Sequence, residues 1–297
     1  MFTGLSAFPL TPFRDDTFDE AAYAGLIRRL VAAEVDSITA LGSTGSYMYL
    51  SRQERARVAR ATVQLAEGVP VMVGIGALRT SLVQRLADDA QEAGASAVLL
   101  APVTYQKLVD DEVFALFEDV SAGLSVPLVV YDNPGTTHVT FSDDLYARVA
   151  ALPRVASIKI PGVPADPVAA ASRVSGIRDY IPETVTIGVS GDASAATGLN
   201  AGCDAWYSAI GGTLPALAQR ITRAASTGHA ADARAASERL QPLWALFAEY
   251  GSLRVIAAVA EHLGLVAAGC LPRPVLGLSD NSRAQVIKVV AELQLRD

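Results

Sequence analysis

Long apolar runs and cysteine are both scarce in this sequence, and each shortage excludes a class of protein. Although 51% of the 297 residues are hydrophobic, glycine, proline or charge interrupts every apolar stretch well before it reaches the length of a membrane span. The first residues lack the basic start and apolar core of a signal peptide. The two cysteines, Cys203 and Cys270, have no metal-ligand spacing and are too few for a disulfide framework. We therefore expect a protein of the reducing cytoplasm with no membrane partner.

Excess basic charge is missing as well. The net charge is -7 and the isoelectric point is near 5.1, so the chain has no basic stripe to attract a nucleic acid. The three histidines, His138, His229 and His262, are too scattered along the chain to form a metal cluster. We therefore expect the chain to bind a small molecule and no metal.

Short apolar runs alternate with amphipathic stretches over most of the chain. The connecting stretches carry apolar residues at three- and four-residue spacing, which is typical of helices that cover a sheet. Strict alternation of strand and helix predicts a parallel sheet, and eight repeats predict a closed (β/α)8 barrel, the TIM barrel. The eight candidate strands are residues 4–8, 37–41, 71–75, 97–101, 128–131, 156–160, 185–189 and 205–209.

The pattern changes from about residue 224 onward. Helical stretches follow one another without strands, at residues 230–240, 243–263 and 281–293. We therefore expect a barrel over residues 1–223, which carries the active site, and a C-terminal helical region over residues 224–297.

Lysine is rare, and one of the three lysines occupies an unexpected position. Lys107, Lys159 and Lys288 are the only lysines, and Lys159 lies inside the apolar run at residues 155–160. Strand periodicity places Ile158 and Ile160 on one face and Lys159 on the other, which predicts that the amine faces the barrel interior. A lysine removed from water has a lowered pKa and becomes a nucleophile for carbonyl groups.

Other polar residues are predicted at the same end of the barrel. Catalytic groups of such barrels lie at the carboxyl ends of the strands, where Tyr131 ends the fifth strand and Lys159 the sixth. The segment Gly42-Ser43-Thr44-Gly45-Ser46 follows the second strand, and its successive N–H groups suit a carboxylate or phosphate oxygen. Each feature has a structural alternative, since tight loops are rich in Gly and Ser and a tyrosine at a strand end is often a core residue.

These motifs, taken together, resemble the dihydrodipicolinate synthase and N-acetylneuraminate lyase family. The resemblance covers essentially the whole chain, and the motifs occur in the family's order and at its intervals. They are Phe2-Thr3-Gly4 through Thr11-Pro12-Phe13, Gly42-Ser43-Thr44-Gly45, Tyr131-Asp132-Asn133-Pro134, Ser157-Ile158-Lys159 and Ser190-Gly191-Asp192.

The resemblance implies a metal-independent class I lyase, an aldolase or hydro-lyase, assembled as a homotetramer or dimer. Lys159 would form a Schiff base with pyruvate or another 2-oxo acid, so that no separate cofactor is needed. Tyr131 would move protons, while Ser43 and Thr44 would bind the carboxylate and assist that transfer. Gly191 and Tyr207 match positions that line the pyruvate pocket.

The chain departs from the family where the second substrate binds. Dihydrodipicolinate synthases carry an arginine two residues after the proline of the Tyr-Asn-x-Pro segment, whereas this chain has Thr136. A neutral threonine cannot replace a bidentate guanidinium, so aspartate semialdehyde is a doubtful substrate. The family's intersubunit Tyr-Tyr pair appears as Val103-Thr104 followed by Tyr105, which we predict either takes over that role from a shifted position or leaves it unfilled.

Two other functions remain open. In one, the loops with Ser190-Gly191-Asp192 and Gly211-Gly212 bind the phosphate of a substrate or of a flavin. Asp192 would repel that anion, and no arginine lies beside either loop. In the other, the barrel is a non-catalytic small-molecule binding protein, although binding alone does not require an amine nucleophile near a phenol.

Overall fold

Eight parallel strands close into a barrel in this computed structural model, which describes residues 2–296. Each barrel strand pairs with its neighbours in sequence, and the eighth pairs with the first, so that the barrel has no open edge. The predicted (β/α)8 barrel is therefore confirmed. The strands are β1 (Gly4–Ala7), β2 (Ser37–Ala40), β3 (Val71–Gly74), β4 (Ala97–Leu100), β5 (Leu128–Tyr131), β6 (Val155–Ile160), β7 (Thr186–Val189) and β8 (Ala205–Ser208).

A helix follows each strand and covers the outside of the barrel. Helix starts follow the sequence signals, as at the second helix, where Ser51 N donates to Glu54 and Glu54 N donates to Ser51 Oγ. A four-residue helix, Pro134–Thr137, precedes the fifth of these helices. The outer helices are α1 (Glu20–Ala32), α2 (Arg52–Leu65), α3 (Thr80–Glu92), α4 (Asp110–Ser121), α5 (Asp143–Ala150), α6 (Pro167–Arg178), α7 (Ala195–Asn200) and α8 (Pro215–Ser226).

The apolar residues form two layers, one on each face of the sheet. Ile158 and Ile160 of β6 belong to the larger layer between the barrel and its helices. Phe8, Tyr131 and Tyr207 belong to a smaller cluster inside the barrel. Because successive strand residues point to opposite faces, Lys159 necessarily faces the interior cluster. The predicted orientation of Lys159 is confirmed.

The C-terminal region is helical but is divided differently from the expectation. It contains α9 (Ala230–Glu238), α10 (Gln241–Tyr250), α11 (Ser252–His262) and α12 (Asp280–Glu292). The single helix expected at residues 243–263 is wrong, because Gly251 adopts φ 80° and ψ 140°, a conformation that ends α10. The division at residue 223 stays a prediction, and it falls in the last turn of α8.

Helix α10 brings the C-terminal region to the barrel mouth. It packs against the short turn Asp192–Ser194, which directly follows β7. Residues distant in sequence can therefore share a cavity with the strand ends. Among residues 2–296, no helix combines the length and apolarity needed to cross a membrane.

Candidate active site

A cavity of about 480 Å³ opens at the carboxyl ends of the barrel strands. It is lined by residues at the ends of β5, β6 and β8, by Phe8 just beyond β1, and by the loops after β2, β5, β6 and β7. Helix α10 and the start of α11 supply the remaining wall. The predicted residues that line it are Ser43, Thr44, Tyr131, Thr136, Lys159, Gly191 and Tyr207.

Strand register brings Tyr131 and Lys159 to the same level of the barrel. Tyr131 is the partner of Lys159 across β5 and β6, and Gly188 is the partner of Lys159 across β6 and β7. Gly188 leaves room for the Tyr207 ring, since a Cβ there would lie 2.2 Å from that ring. Because position 188 of β7 has no side chain, Lys159 and Tyr207 both fit inside the narrow barrel.

The Lys159 amine is enclosed by aromatic rings. Nζ lies 3.8 Å from the ring centre of Tyr131, 4.0 Å from that of Phe8 and 5.8 Å from that of Tyr207. Ring faces attract an ammonium ion, but they also exclude the water that would solvate it. Burial lowers the pKa of Lys159 from 10.5 to about 7, against an opposing effect of the Asp192 carboxylate. A large fraction of neutral, nucleophilic amine is therefore present at neutral pH.

The Tyr131 phenol remains protonated over the same pH range. Burial raises the pKa of Tyr131 to about 12, and the side chain of Ser43 acts in the opposite direction. Ser43 Oγ is itself buried and has no hydrogen-bond partner among residues 2–296. The Tyr131 phenol, a proton donor, and the Ser43 hydroxyl thus line the same cavity as the amine, where a ligand oxygen can reach them.

The loop after β2 offers backbone donors as well. Among the described residues, no hydrogen bond occupies the N–H groups of Ser43 and Thr44. Gly42 allows this loop to approach the barrel centre, because a Cβ there would lie 2.4 Å from the Phe8 ring. Two adjacent free N–H groups beside a free hydroxyl suit one carboxylate of a small ligand.

Asp192 carries the one carboxyl group among the described side chains that line the cavity. Its carboxylate accepts hydrogen bonds from Trp206 Nε1 at 3.1 Å, Ser208 Oγ at 3.0 Å, Ala209 N at 3.2 Å and Ile210 N at 2.9 Å. Burial nevertheless raises the pKa of Asp192 above its usual range. From the sequence, Asp192 was named only within the Ser190-Gly191-Asp192 motif and as a repellent of a possible phosphate, because its four donors come from a later strand and loop.

The loop after β8 is not built to hold a phosphate. Its N–H groups already donate within the chain, those of Ala209 and Ile210 to Asp192, that of Gly211 to Ser208 Oγ and that of Gly212 to Ala209 O. A phosphate would have to displace these bonds and lie against a carboxylate. The geometry therefore disfavours the phosphate- or flavin-binding alternative.

The other predicted residues contribute to the cavity in different ways. Gly191 has φ 77°, a conformation that favours glycine, and it lines the cavity. The Tyr207 hydroxyl lies 2.7 Å from Ser157 Oγ, so Tyr207 presents mainly its ring to a ligand. Thr136 lines the cavity, whereas Tyr105 is 88% exposed and does not line the cavity of its own chain.

Three aromatic lining residues were not predicted from the sequence. Phe8 lies just beyond β1, and Trp244 and Phe247 lie on α10. The proximity of Phe8 to the end of the first strand was a usable signal, because strand ends carry the site in this fold. Nothing local distinguishes the two α10 rings from ordinary core residues. No group of three or more potential metal-ligating side chains occurs among residues 2–296.

Nearly the whole chain matches a family model, and this match shows to which family the chain belongs. The model is that of the dihydrodipicolinate synthetase family, and the match covers residues 1–293. The chain belongs to this family. A 4-hydroxy-tetrahydrodipicolinate synthase of Methylobacterium radiotolerans is 32% identical over 81% of this chain and 79% of its own length.

Solved structures of dihydrodipicolinate synthetase family members are also similar. A dihydrodipicolinate synthase from Agrobacterium tumefaciens is 44% identical, covers 98% of each chain and gives a TM-score of 0.94. A putative dihydrodipicolinate synthetase from Pseudomonas aeruginosa is 29% identical over 99% of this chain and all of its own, with a TM-score of 0.88. The predicted family and its lyase class are confirmed, whereas the individual site residues stay predictions.

Proposed function

We propose that this chain is a class I lyase, in which Lys159 forms a Schiff base with pyruvate or a related 2-oxo acid. The observation that carries the proposal is the buried Lys159 amine, whose pKa is lowered to about 7, facing a cavity beside the Tyr131 ring. A purely structural lysine is unfavourable at this position, because burial without an ion-pair contact to any described residue destabilises the ammonium. Imine formation requires the neutral amine that this environment favours.

The neighbouring groups match the needs of imine formation. The Lys159 amine attacks C2 of the 2-oxo acid, and loss of water from the carbinolamine requires a proton at the departing oxygen. The Tyr131 phenol supplies that proton, and the Ser43 hydroxyl completes the transfer. The free N–H groups of Ser43 and Thr44 bind the carboxylate, while the nearby Asp192 carboxylate favours the cationic iminium. No metal or added cofactor takes part, because the iminium itself accepts the electron pair released at C3.

We further propose that the second-substrate pocket differs from that of a dihydrodipicolinate synthase. Thr136 lines the cavity where the resemblance places an arginine. Its hydroxyl can accept or donate one hydrogen bond but carries no charge. Aspartate semialdehyde is therefore expected to be a poor electrophile. A non-catalytic binding protein can be distinguished from this lyase by experiment, because it would form no covalent adduct.

Borohydride trapping tests the proposal directly. The protein is incubated with pyruvate, reduced, digested and mapped by mass spectrometry. We expect a stable adduct on Lys159, with Lys107 and Lys288 as internal controls because both side chains are exposed. An adduct confined to Lys107 or Lys288, or no adduct with any 2-oxo acid, would refute the proposal and favour the binding protein.

The pH dependence of trapping provides a second measurement. The ammonium form cannot attack a carbonyl, and it predominates below the Lys159 pKa of about 7. The initial rate of trapping should therefore rise as the pH increases through about 7 and level off above it. A rate that kept rising toward the ordinary lysine pKa of 10.5 would show that the amine is not desolvated.

We propose that the chain assembles with further copies of itself, as a dimer or a tetramer. The loops after β2, β3 and β4 carry four large, exposed apolar side chains, those of Met48, Tyr49, Leu78 and Tyr105. These three strands are adjacent in the barrel. This cluster, the loop patch, has the character of a surface that another protein covers.

Sedimentation velocity measures the assembly. Tyr105→Glu, combined with Leu78→Glu, should lower the oligomeric state because it introduces charge into the loop patch. Val168→Glu is the matched control, since Val168 is also an exposed apolar residue but lies on α6. An oligomer unchanged by the double variant would exclude the loop patch as the interface.

The proposed setting is the cytoplasm, with a small 2-oxo acid as the partner. Cys203 and Cys270 are buried and unpaired thiols, which suits a reducing compartment. Burial raises the pKa of both thiols to about 12, so that neither is a reactive thiolate at neutral pH. We assign them to packing.

A further inference from the structure

We infer that the outer part of the cavity binds an uncharged aldehyde with an aromatic body. The inference rests on the proposed function, because the aldehyde would react with the pyruvate-derived enamine on Lys159. The region that carries it, called the aromatic wall, consists of Trp244 and Phe247 on α10. Neither ring has a role in forming the imine.

The charges of the cavity exclude an anionic partner. Among the described side chains that line it, Lys159 is the only basic group, and Asp192 is the only carboxyl group. The imine uses the Lys159 amine, and the carboxylate of the 2-oxo acid requires compensation of its own. A second carboxylate would therefore be removed from water without a cationic partner and in the same cavity as Asp192.

The aromatic wall offers a hydrocarbon surface, mainly that of the partly buried Phe247 since Trp244 is only 4% exposed, and no hydrogen bond. Trp244 Nε1 donates to Ser237 O at 3.0 Å and lies 3.3 Å from Ser237 Oγ, so its only donor is occupied. The Phe247 ring packs edge to face against Trp244, with 5.4 Å between ring centres. An aromatic ligand ring can extend this arrangement, because edge-to-face and offset contacts are favourable.

The position of the aromatic wall relative to the imine is set by tertiary packing. Helix α10 packs against the turn Asp192–Ser194, whose first residue is the fixed carboxylate near Lys159. Because α10 lies outside the barrel, its rings line the outer part of the cavity, above the strand ends. Other polar side chains that line the cavity are uncharged, among them the Asn133 amide and the hydroxyls of Thr136, Ser194 and Ser252. They suit the oxygen formed from an aldehyde and carry no charge to attract an anion.

The reaction that follows is a balanced aldol addition. Loss of a proton from C3 of the iminium gives the enamine, whose C3 then forms a bond to the aldehyde carbon. The carbonyl electron pair moves to oxygen, which takes up a proton, and the iminium is restored. Water then hydrolyses it, which releases a 4-hydroxy-2-oxo acid and the free Lys159 amine. The reverse sequence cleaves the same carbon–carbon bond.

A panel of aldehydes tests the inference with pyruvate as the donor. Benzaldehyde represents the aromatic class, acetaldehyde the small neutral class and succinate semialdehyde the anionic class. We expect kcat/KM for benzaldehyde to exceed that for succinate semialdehyde by about tenfold or more, the scale of discrimination that one pocket contact provides. Phe247→Ala should lower the ratio of benzaldehyde to acetaldehyde kcat/KM by about tenfold, because only the larger substrate reaches the ring.

Phe114→Ala is the matched control, since Phe114 is partly buried on α4 and does not line the cavity. It should leave the benzaldehyde to acetaldehyde ratio unchanged. If an imine is trapped on Lys159, three results would overturn this inference and leave the proposed function standing. They are a preference for succinate semialdehyde, no turnover of any aldehyde, and an unchanged benzaldehyde to acetaldehyde ratio in Phe247→Ala. Absence of a trapped imine would overturn both, so the two failures are distinguishable.

Discussion

Lys159→Arg is expected to abolish trapping with pyruvate and to lower kcat by about 10⁴-fold or more, as loss of a catalytic nucleophile does in other enzymes. Arginine retains a positive charge but stays protonated and cannot form the imine. Its bulk must also fit among Phe8, Tyr131 and Tyr207, whose ring centres lie within 5.8 Å of the Lys159 amine. Steady-state turnover and intact-protein mass after reduction measure the two effects.

Lys107→Arg is the control for this substitution, because Lys107 is exposed on the loop before α4. It should retain both turnover and the adduct. Lys159→Ala separates loss of the nucleophile from crowding by the larger side chain, and it should be equally inactive. A Lys159→Arg or Lys159→Ala protein that folds and still forms a reducible adduct would show that another amine is the nucleophile.

Tyr131→Phe is expected to have the second largest effect, a loss in kcat of about 10² to 10⁴-fold, the usual contribution of a positioned acid or base. The substitution keeps the ring that packs against the Lys159 amine and removes only the hydroxyl. Imine should still form, but more slowly, because carbinolamine dehydration loses its proton donor. Rapid-quench trapping measures this rate separately from the turnover number.

Tyr23→Phe is the matched control, since it also removes a buried hydroxyl. Tyr23 bonds to Thr62 at 2.7 Å and does not line the cavity. It should lower the free energy of unfolding by about 1 kcal/mol, the typical net contribution of one hydrogen bond, and leave kcat unchanged. Equal losses of kcat in the two variants would show that Tyr131 acts through stability alone.

The barrel itself could be predicted because its determinants are local. The eight strands follow from short apolar runs, and the α2 start follows from the reciprocal bonds of Ser51 and Glu54. The orientation of Lys159 follows from the period-two geometry of β6, which is independent of the rest of the chain. The C-terminal helices were harder to delimit, because Gly251 adopts an extended conformation with positive φ that its sequence neighbours do not specify.

The composition of the site could be predicted only in part. Ser43, Tyr131 and Lys159 were identified because they lie at or just beyond the ends of predicted strands, where barrel loops converge. The role of Asp192 was missed, because its donors come from Trp206, Ser208 and the loop that follows. The aromatic wall was missed because α10 is about a hundred residues from β5, and only packing brings the two together.

The sequence by itself determined the strand and helix alternation, the inward face of Lys159 and the motifs that relate the chain to its family. These properties depend on residue spacing within single segments, and spacing can be read from the chain directly. Tertiary structure alone decided that three rings enclose the Lys159 amine, that Asp192 is held by four donors and that α10 completes the cavity. The physical reason is that desolvation and electrostatic interaction depend on distances in space, which arise only when the barrel closes and the C-terminal helices pack on it.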